Sequence, residues 1–300
     1  MTGFRTVAVF FCSLVLLVQT AAAATDGIQW QALEPGLELV RVNVAFVPSA
    51  SSVENQPTSQ SNQPVSRESV SVSATLLRID PARFTFSLYM ASERGAKTLG
   101  GVAAGENFVA AINAGMFQRD GLTSTGYLRG ETHTNNNHIA ANFGAFFVAL
   151  PDNPAFPQAR VMDKYEDDWE ALIKRYALVM QNYRMTTVGG RVIWKQAARI
   201  HSVAALSQDA EGRILFILCS SPVPAADFMT ALLRLPLALK TVMYLEGGSE
   251  AALLINAGGI NIVEAGRHTS GLWGGSASLM LPNVLGVRRR AESASGGVGQ

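Results

Sequence analysis

The chain alternates between short apolar runs and polar breaks, and most of the runs have the length of β-strands. Residues 36–47 alternate well enough to predict a strand, and residues 72–80 and 83–90 predict two strands that pair across Pro81. Further strands are predicted at 107–113, 142–150, 201–220 (two strands about a Glu-Gly turn), 241–248, 251–256 and 277–287. Strands therefore dominate the predicted structure.

Three segments predict helices. Residues 166–177 carry acids in the first turn, cations in the last and an apolar i, i+3, i+4 stripe, a pattern that is typical of an amphipathic helix. Residues 96–106 and 226–235 predict two further helices. Because there is no strict βαβα alternation, we expect a single α+β domain with a large mixed, mostly antiparallel β-sheet and a few flanking helices.

The N-terminal segment predicts export from the cytoplasm. Residues 1–23 combine Arg5, an apolar run over 7–18 and small residues at 21–24, which is the pattern of a secretory signal peptide. The apolar run is too short to span a bilayer comfortably, and no later run is long enough to do so. We therefore expect a cleaved leader, a periplasmic or secreted product and no stable membrane insertion.

The rest of the chain divides by composition. Residues 24–47 form an N-terminal strand segment, and residues 48–70 are rich in Ser, Gln, Asn and Pro and predict a flexible insertion between strands. Residues 71–288 contain the main domain, and residues 289–300 predict a disordered tail.

Charge and cysteine content exclude several classes. Without the leader and its Arg5, the 24 basic residues fall to the number of acidic ones, 23, so nothing indicates nucleic-acid binding. Only Cys219 then remains of two cysteines, so no intrachain disulfide can form. No P-loop or dinucleotide fingerprint is present, and we expect no cofactor.

Four polar and glycine-containing breaks end apolar strands, at 112–117, 124–131, 199–206 and 245–250. Glycines at such places let backbone amides approach a ligand closely, and a carboxylate there can act as a base, a nucleophile or a stabiliser of positive charge. The sequence "LEGGSE" places Glu246 at the end of a predicted buried strand, directly before two glycines.

The order of these breaks resembles that of the phosphodiester glycosidase family, from about Val72 to Arg288. The elements that carry the resemblance are Asn113-x-Gly115-x-Phe117, Gly126-Tyr127, the strand with Gln181, the strand with Arg199 and His201, Glu246-Gly247-Gly248-x, and Pro282-Asn283. This family hydrolyses glycosyl phosphodiesters, so the resemblance implies a carbohydrate phosphodiester as the substrate.

The resemblance also implies roles for individual residues. Glu246 would support the anomeric carbon or activate water, and Asn113 would orient a sugar hydroxyl or the water. Substrate binding would fall to Gly115, Phe117, Tyr127, Gln181, Arg199, His201, Gly247, Gly248 and Ser249, with the last three amides facing the phosphate. The family's aspartate is Glu246 here, one methylene longer, and the basic position is open between Arg199 and His201.

Other interpretations stay open from the residues alone. Glu246 could form an ion pair with an arginine, and Glu250 could be a second carboxylate. Glu131, His133 and His138 suggest a zinc site, but the asparagines between the histidines favour a polar or sugar-binding surface without a metal. A glycan- or phosphate-binding protein without catalysis is the alternative to an enzyme. The spacing of a serine-hydrolase nucleophile elbow is missing.

Overall fold

The computed structural model describes residues 27–49, 68–194, 200–267 and 280–291. The predicted leader, most of the polar insertion, Arg199 and most of the predicted tail lie outside these residues. The described chain forms three β-sheets, a two-stranded ribbon and four short helices, and all of its strand pairs are antiparallel. The predicted α+β class with mostly antiparallel strands is confirmed, and the strands are divided among three sheets.

The sheets join strands that are far apart in sequence. The first sheet contains, in spatial order, β1 (Gln31–Glu34), β2 (Leu37–Phe46), β3 (Val70–Ile79), β13 (Ile214–Pro224), β12 (Ile200–Gln208) and β14 (Met243–Gly247). The second contains β10 (Ala159–Asp163), β9 (Ala145–Pro151), β11 (Tyr176–Asn182), β7 (Leu128–Arg129) and β8 (Thr134–Asn136). The third contains β16 (Ile260–Ala265), β15 (Ala252–Ala257), β6 (Ala110–Asn113), β18 (Asn283–Arg289) and β4 (Phe84–Met90). The ribbon pairs β5 (Lys97–Thr98) with β17 (Met280–Leu281).

The helices are short. They are α1 (Ala91–Arg94), α2 (Leu99–Glu106), α3 (Trp169–Leu172) and α4 (Ala225–Leu232), with 3-10 turns at Ile173–Arg175 and Gly248–Glu250. The predictions at 96–106 and 226–235 are confirmed by α2 and α4. Thr98 caps α2, since its side-chain oxygen accepts a hydrogen bond from the Gly101 amide at 3.1 Å. Within the described residues, no helix combines the length and the apolar character that crossing a membrane requires.

The helix predicted at 166–177 is shorter than expected. It ends at Leu172, a 3-10 turn follows, and Tyr176 already begins β11. Tyr176 and Leu178 are buried there, opposite Pro151 and Ala149 of β9. Pairing and burial within the second sheet therefore override the local helix pattern, which short-range periodicity cannot anticipate.

The three sheets share one core. The ring of Phe86 in β4 lies 5.2 Å from that of Phe147 in β9 and 6.3 Å from that of Phe216 in β13. All three rings are almost completely buried. Since side chains alternate between the two faces of a strand, each sheet contributes one face to this core and must cover its other face elsewhere.

Helices cover the outer faces of the sheets. Val102 of α2 packs in a cluster on the third sheet, and Phe228 of α4 does so on the first. On the second sheet, Trp169 of α3 stacks on Phe146 with ring centroids 5.2 Å apart. Both faces of every sheet are thus buried over part of their area, and the ends of the strands are left for polar residues.

Two buried amide side chains at the end of β11 connect the sheets and a loop. The Gln181 side chain donates to the carbonyl oxygens of Ala140 (2.8 Å) and Phe143 (3.0 Å) and accepts from the Ala140 amide (2.9 Å). The neighbouring Asn182 donates to the Leu245 carbonyl in β14 at 2.9 Å. Gln181 therefore fixes residues 140–143, and Asn182 ties the second sheet to the first.

We expect Gln181→Leu to lower the free energy of unfolding by about 2–4 kcal/mol, because the substitution leaves several buried backbone groups without partners. Urea unfolding followed by circular dichroism measures the change. Gln31→Leu, at an exposed position of β1, is the matched control and should stay within about 0.5 kcal/mol of the unaltered protein. Equal stability of the two variants would contradict the conclusion that Gln181 fixes residues 140–143.

Candidate active site

A cavity of about 930 Å³ lies where the ends of β11 and β14 meet the start of β12. Its wall comes from stretches that are far apart in sequence, including the loop 140–143, the end of β14 with Tyr244, Glu246 and Gly247, and the following Gly248. Tyr183, Trp194 and His201 complete much of the surface. The cavity therefore sits at the junction of the first two sheets.

Strand β12 loses regular pairing on both sides at this point. Toward β14, Ala204 faces Glu246 but Ala205 faces Tyr244, so Leu245 is an additional residue. Toward β13, the register also shifts between His201 and Val203. Bulges of this kind change the direction of side chains and occur frequently beside active sites. Glu246 and His201 both line the cavity next to these irregularities.

Gly247 lets the backbone of β14 lie close to Tyr244, Ser202 and His201. A Cβ atom at this position would lie 2.5 Å from the Tyr244 hydroxyl and 2.7 Å from the Ser202 carbonyl oxygen, and it would collide with Nδ1 of His201. No side chain fits there without displacing these groups. The first glycine after Glu246 is therefore required by packing around the cavity.

Glu246 is the carboxylate whose environment stands out. Burial is the main cause that raises its pKa from an ordinary value of 4.5 to about 7. A hydrogen bond from the Gly247 amide opposes this rise, and the nearby Glu250 carboxylate adds to it. That amide donates to Oε1 of Glu246 at 3.0 Å. Near neutral pH this group can both accept and release a proton, as a catalytic acid or base must.

Glu250 is the last residue of the 3-10 turn Gly248–Glu250. Gly248 adopts a positive φ of 68°, a conformation that favours glycine, and it lines the cavity. Glu250 lines the cavity as well and accepts a hydrogen bond from the Ser249 hydroxyl at 2.9 Å. The end of β14 and this turn therefore place two carboxylates in the cavity lining, and Ser249 supports Glu250 from outside the lining.

His201 has a defined orientation. Its Nδ1 atom lies 2.8 Å from the Ser202 carbonyl oxygen. Because a carbonyl only accepts hydrogen bonds, Nδ1 carries the hydrogen, and Nε2 is the acceptor of the neutral ring. His138 lines the same cavity from the loop side.

The structure does not support the zinc interpretation. His133 contacts the Ser92 hydroxyl at 3.0 Å, whereas His138 belongs to the cavity wall. Among the residues that the structure describes, no group of three histidine, cysteine, aspartate or glutamate side chains could hold a metal ion.

Asn113 and Gly115 lie behind the cavity wall. Asn113 is buried at the end of β6, and its side-chain oxygen accepts a hydrogen bond from the Ala252 amide at 3.2 Å. Gly115 has a φ of 94°, and a Cβ atom there would lie 3.0 Å from the Asn182 amide nitrogen. Neither residue lines the cavity. Asn113 instead fixes the chain that follows Glu250.

The other predicted binding residues are dispersed. Phe117 forms an isolated bridge with Ser124, and Tyr127 lines a separate groove, where its hydroxyl accepts from Arg129 at 3.1 Å. Gln181 acts through the loop 140–143, as described above. Arg199 lies outside the described residues. Of the predicted set, the structure brings Glu246, His201, Gly247 and Gly248 together at the cavity.

Sequence reasoning missed the aromatic part of the site. Tyr183, Trp194 and Tyr244 line the cavity in a continuous series of ring contacts. The feature that could have indicated Tyr183 is its place directly after Gln181 and Asn182, where polar residues end the apolar strand β11. Trp194 had no comparable feature, because it lies in a loop.

Comparison with known proteins places the fold. The sequence profile of the family described as phosphodiester glycosidase matches residues 106–288. Among solved structures, the catalytic domain of zebrafish N-acetylglucosamine-1-phosphodiester alpha-N-acetylglucosaminidase, auto-inhibited by its pro-peptide, has a similar fold, with a TM-score of 0.60, 12% identity, and coverage of 88% of this chain and 89% of that chain.

A second similar structure is a hypothetical protein from Synechocystis, with a TM-score of 0.55, 13% identity, and coverage of 89% of this chain and 65% of that chain. A search of curated protein sequences found no match. At these identities the solved structures show a shared fold. The family profile spans more than half of the 300 residues, and the chain therefore belongs to the phosphodiester glycosidase family.

Proposed function

We propose that this protein is an exported hydrolase that cleaves a glycosyl phosphodiester of cell-envelope or exopolysaccharide material. Family membership supports the reaction class. The observation that carries the proposal is Glu246, a largely buried carboxylate with a pKa raised to about 7, on the wall of a cavity large enough for a sugar. The leader predicted at residues 1–23 supports a periplasmic or secreted location.

The chemistry of the leaving group explains why one carboxylate can suffice. Most glycosidases need an acid to protonate the departing oxygen and a second carboxylate on the opposite side. A phosphate monoester departs as a stable anion, with the electron pair of the broken bond between the anomeric carbon and its oxygen. Catalysis is then needed mainly on the side of the sugar, where a carboxylate stabilises the oxocarbenium-like centre and activates a water molecule.

We assign that role to Glu246. Its carboxylate accepts a proton from the water whose oxygen bonds to the anomeric carbon, and its charge stabilises the developing positive centre. The hydrogen bond from the Gly247 amide holds the carboxylate in place. Asn113 positions the following segment through the Ala252 amide. On the phosphate side we assign His201, in the protonated form in which Nε2 also donates, and the backbone at Gly248, together with Arg199, which precedes β12 in the sequence.

We expect the purified protein to release free sugar and a phosphate monoester from at least one of the methyl phosphodiesters of glucose, N-acetylglucosamine, galactose and mannose 1-phosphate. Glu246→Gln should lower kcat by about 10²–10⁴-fold, because an amide cannot accept the proton. Chromatography of the products measures the rates. In water enriched in ¹⁸O, the phosphate monoester should remain unlabelled, because the bond between the anomeric carbon and its oxygen is the one that breaks.

The matched control is Glu211→Gln, at an exposed turn between β12 and β13, which should keep full activity. Label in the phosphate product would contradict attack at the anomeric carbon. Binding of a probe without turnover would favour the alternative, a non-catalytic glycan-binding protein.

We expect Glu246→Gln to stabilise the fold at high pH. A carboxyl group whose pKa is raised in the folded state binds its proton more tightly there, so stability is lost as the pH rises from about 4.5 through about 7. The variant should exceed the unaltered protein by about 1–3 kcal/mol above pH 7.5 and match it near pH 4. Urea unfolding at both pH values measures this difference, and a pH-independent difference would contradict it.

We expect kcat/KM to rise with pH through a midpoint near 7, because the reactive form of Glu246 is deprotonated. Glu250→Gln should move this midpoint to lower pH, because it removes a like charge that raises the Glu246 pKa. His201→Gln should retain the midpoint, which separates the titration of the carboxyl group from that of the His201 imidazole. A profile that falls through pH 7 would contradict the role as a base.

A further inference from the structure

Two aromatic rings form a right-angled corner in the cavity. The rings of Tyr183 and Trp194 are 5.5 Å apart at an interplanar angle of 90°, and both residues are partly exposed and line the cavity. Tyr183 follows β11 directly, whereas Trp194 comes from the loop that follows Thr186 and its bridge partner Val192. The corner therefore unites two segments of the chain within one concave surface.

Two further rings of the cavity lining pack against the corner. Phe143, whose carbonyl Gln181 holds, packs on Tyr183 with centroids 4.3 Å apart. Tyr244 packs on Trp194 with centroids 4.8 Å apart at 40°. Phe143 and Tyr244 are both almost fully buried. These contacts restrict the motion of the Tyr183 and Trp194 rings, so the two rings present a preformed surface to a ligand.

Polar groups border the corner. The Asn142 side-chain amide donates to the Tyr183 hydroxyl at 3.2 Å and is itself exposed in the cavity lining. Glu246 follows Tyr244 by two positions in the same wall. The cavity lining thus combines this apolar corner with an amide next to Tyr183 and with the proposed reactive carboxylate.

This combination matches the chemistry of a pyranose. One face of such a ring carries C–H groups with a partial positive charge, and the rim carries hydroxyl groups. The face of an aromatic ring is the negative part of its quadrupole, so C–H groups pack favourably against it and bury apolar area. Hydroxyl groups at the rim can then contact the Asn142 amide.

We propose that Tyr183 and Trp194 bind the pyranose ring of the substrate and select glycosyl phosphodiesters over phosphodiesters that lack such a ring. The identity of this ligand rests on the proposed function. The two residues act in binding, with the anomeric carbon toward Glu246, and take no part in proton transfer. Open-chain phosphodiesters, such as that of glycerol, offer no C–H face and lose this contact.

The test uses the full chain with Glu246→Gln, which keeps a bound substrate intact, and calorimetric titration with the four methyl glycosyl phosphodiesters named above. The methyl phosphodiester of glycerol 3-phosphate is the ring-free probe. We expect the best glycosyl probe to bind at least about tenfold more tightly than the glycerol probe. Trp194→Ala and Tyr183→Ala should each weaken that binding about tenfold or more.

Conservative variants control for folding. Trp194→Phe and Tyr183→Phe retain a ring and should stay within about threefold of the parent, although Tyr183→Phe removes the contact with Asn142. In the active protein, the alanine variants should raise KM with little change in kcat, the pattern expected when binding energy common to substrate and transition state is removed.

The outcomes separate this proposal from the hydrolase. If the protein shows no turnover but binds the sugar in a way that depends on Tyr183 and Trp194, the proposed binding role of these residues is supported and the proposed hydrolase activity is contradicted. If the protein turns the substrate over and both alanine variants keep the same Kd and KM, the proposed binding role of Tyr183 and Trp194 is overturned, and the proposed hydrolase activity is unaffected. Equal binding of the glycerol probe, or binding of none of the glycosyl probes, also overturns the corner.

Discussion

The contact of three sheets around Phe86, Phe147 and Phe216 is the constraint on which the rest of the structure depends. Burial of each such side chain contributes about 1.5–3 kcal/mol, and the surrounding cluster draws aliphatic residues from all three sheets. This shared core fixes the position of each sheet relative to the others. The junction of the first two sheets, and with it the cavity, follows from that arrangement.

Polar side chains then fix the details of the junction. Asn113, Gln181 and Asn182 are all buried. Asn113 accepts a hydrogen bond from the backbone of another segment near the cavity, and Gln181 and Asn182 donate such bonds. A buried amide that loses its partners is costly, so these bonds strongly favour one local arrangement. Resemblance suggested direct roles for Asn113 and Gln181, but in the structure their contacts are with the backbone that carries the lining residues.

The environment of Glu246 illustrates the opposition between stability and reactivity. Burial disfavours its charged form, and the second carboxylate of Glu250 increases the penalty. The hydrogen bond from Gly247 only partly offsets this, and the large apolar core supplies the remaining stability. The register shift at Leu245 helps to set where the end of β14 presents this carboxyl group, and it is a local feature of one strand end.

The sequence by itself determined the class of the fold and the positions of α2 and α4, and it indicated Glu246 with its two glycines as a candidate site, because hydrophobic periodicity and glycine conformation are properties of short segments. It did not determine the end of α3, which is short because Tyr176 already belongs to strand β11. It also did not determine the ring contact between Tyr183 and Trp194. Only the tertiary structure decided which strand ends meet, since sheet order joins segments that are distant in sequence. Whether a polar residue faces a cavity or supports its wall depends on those long-range contacts, and local patterns carry no record of them.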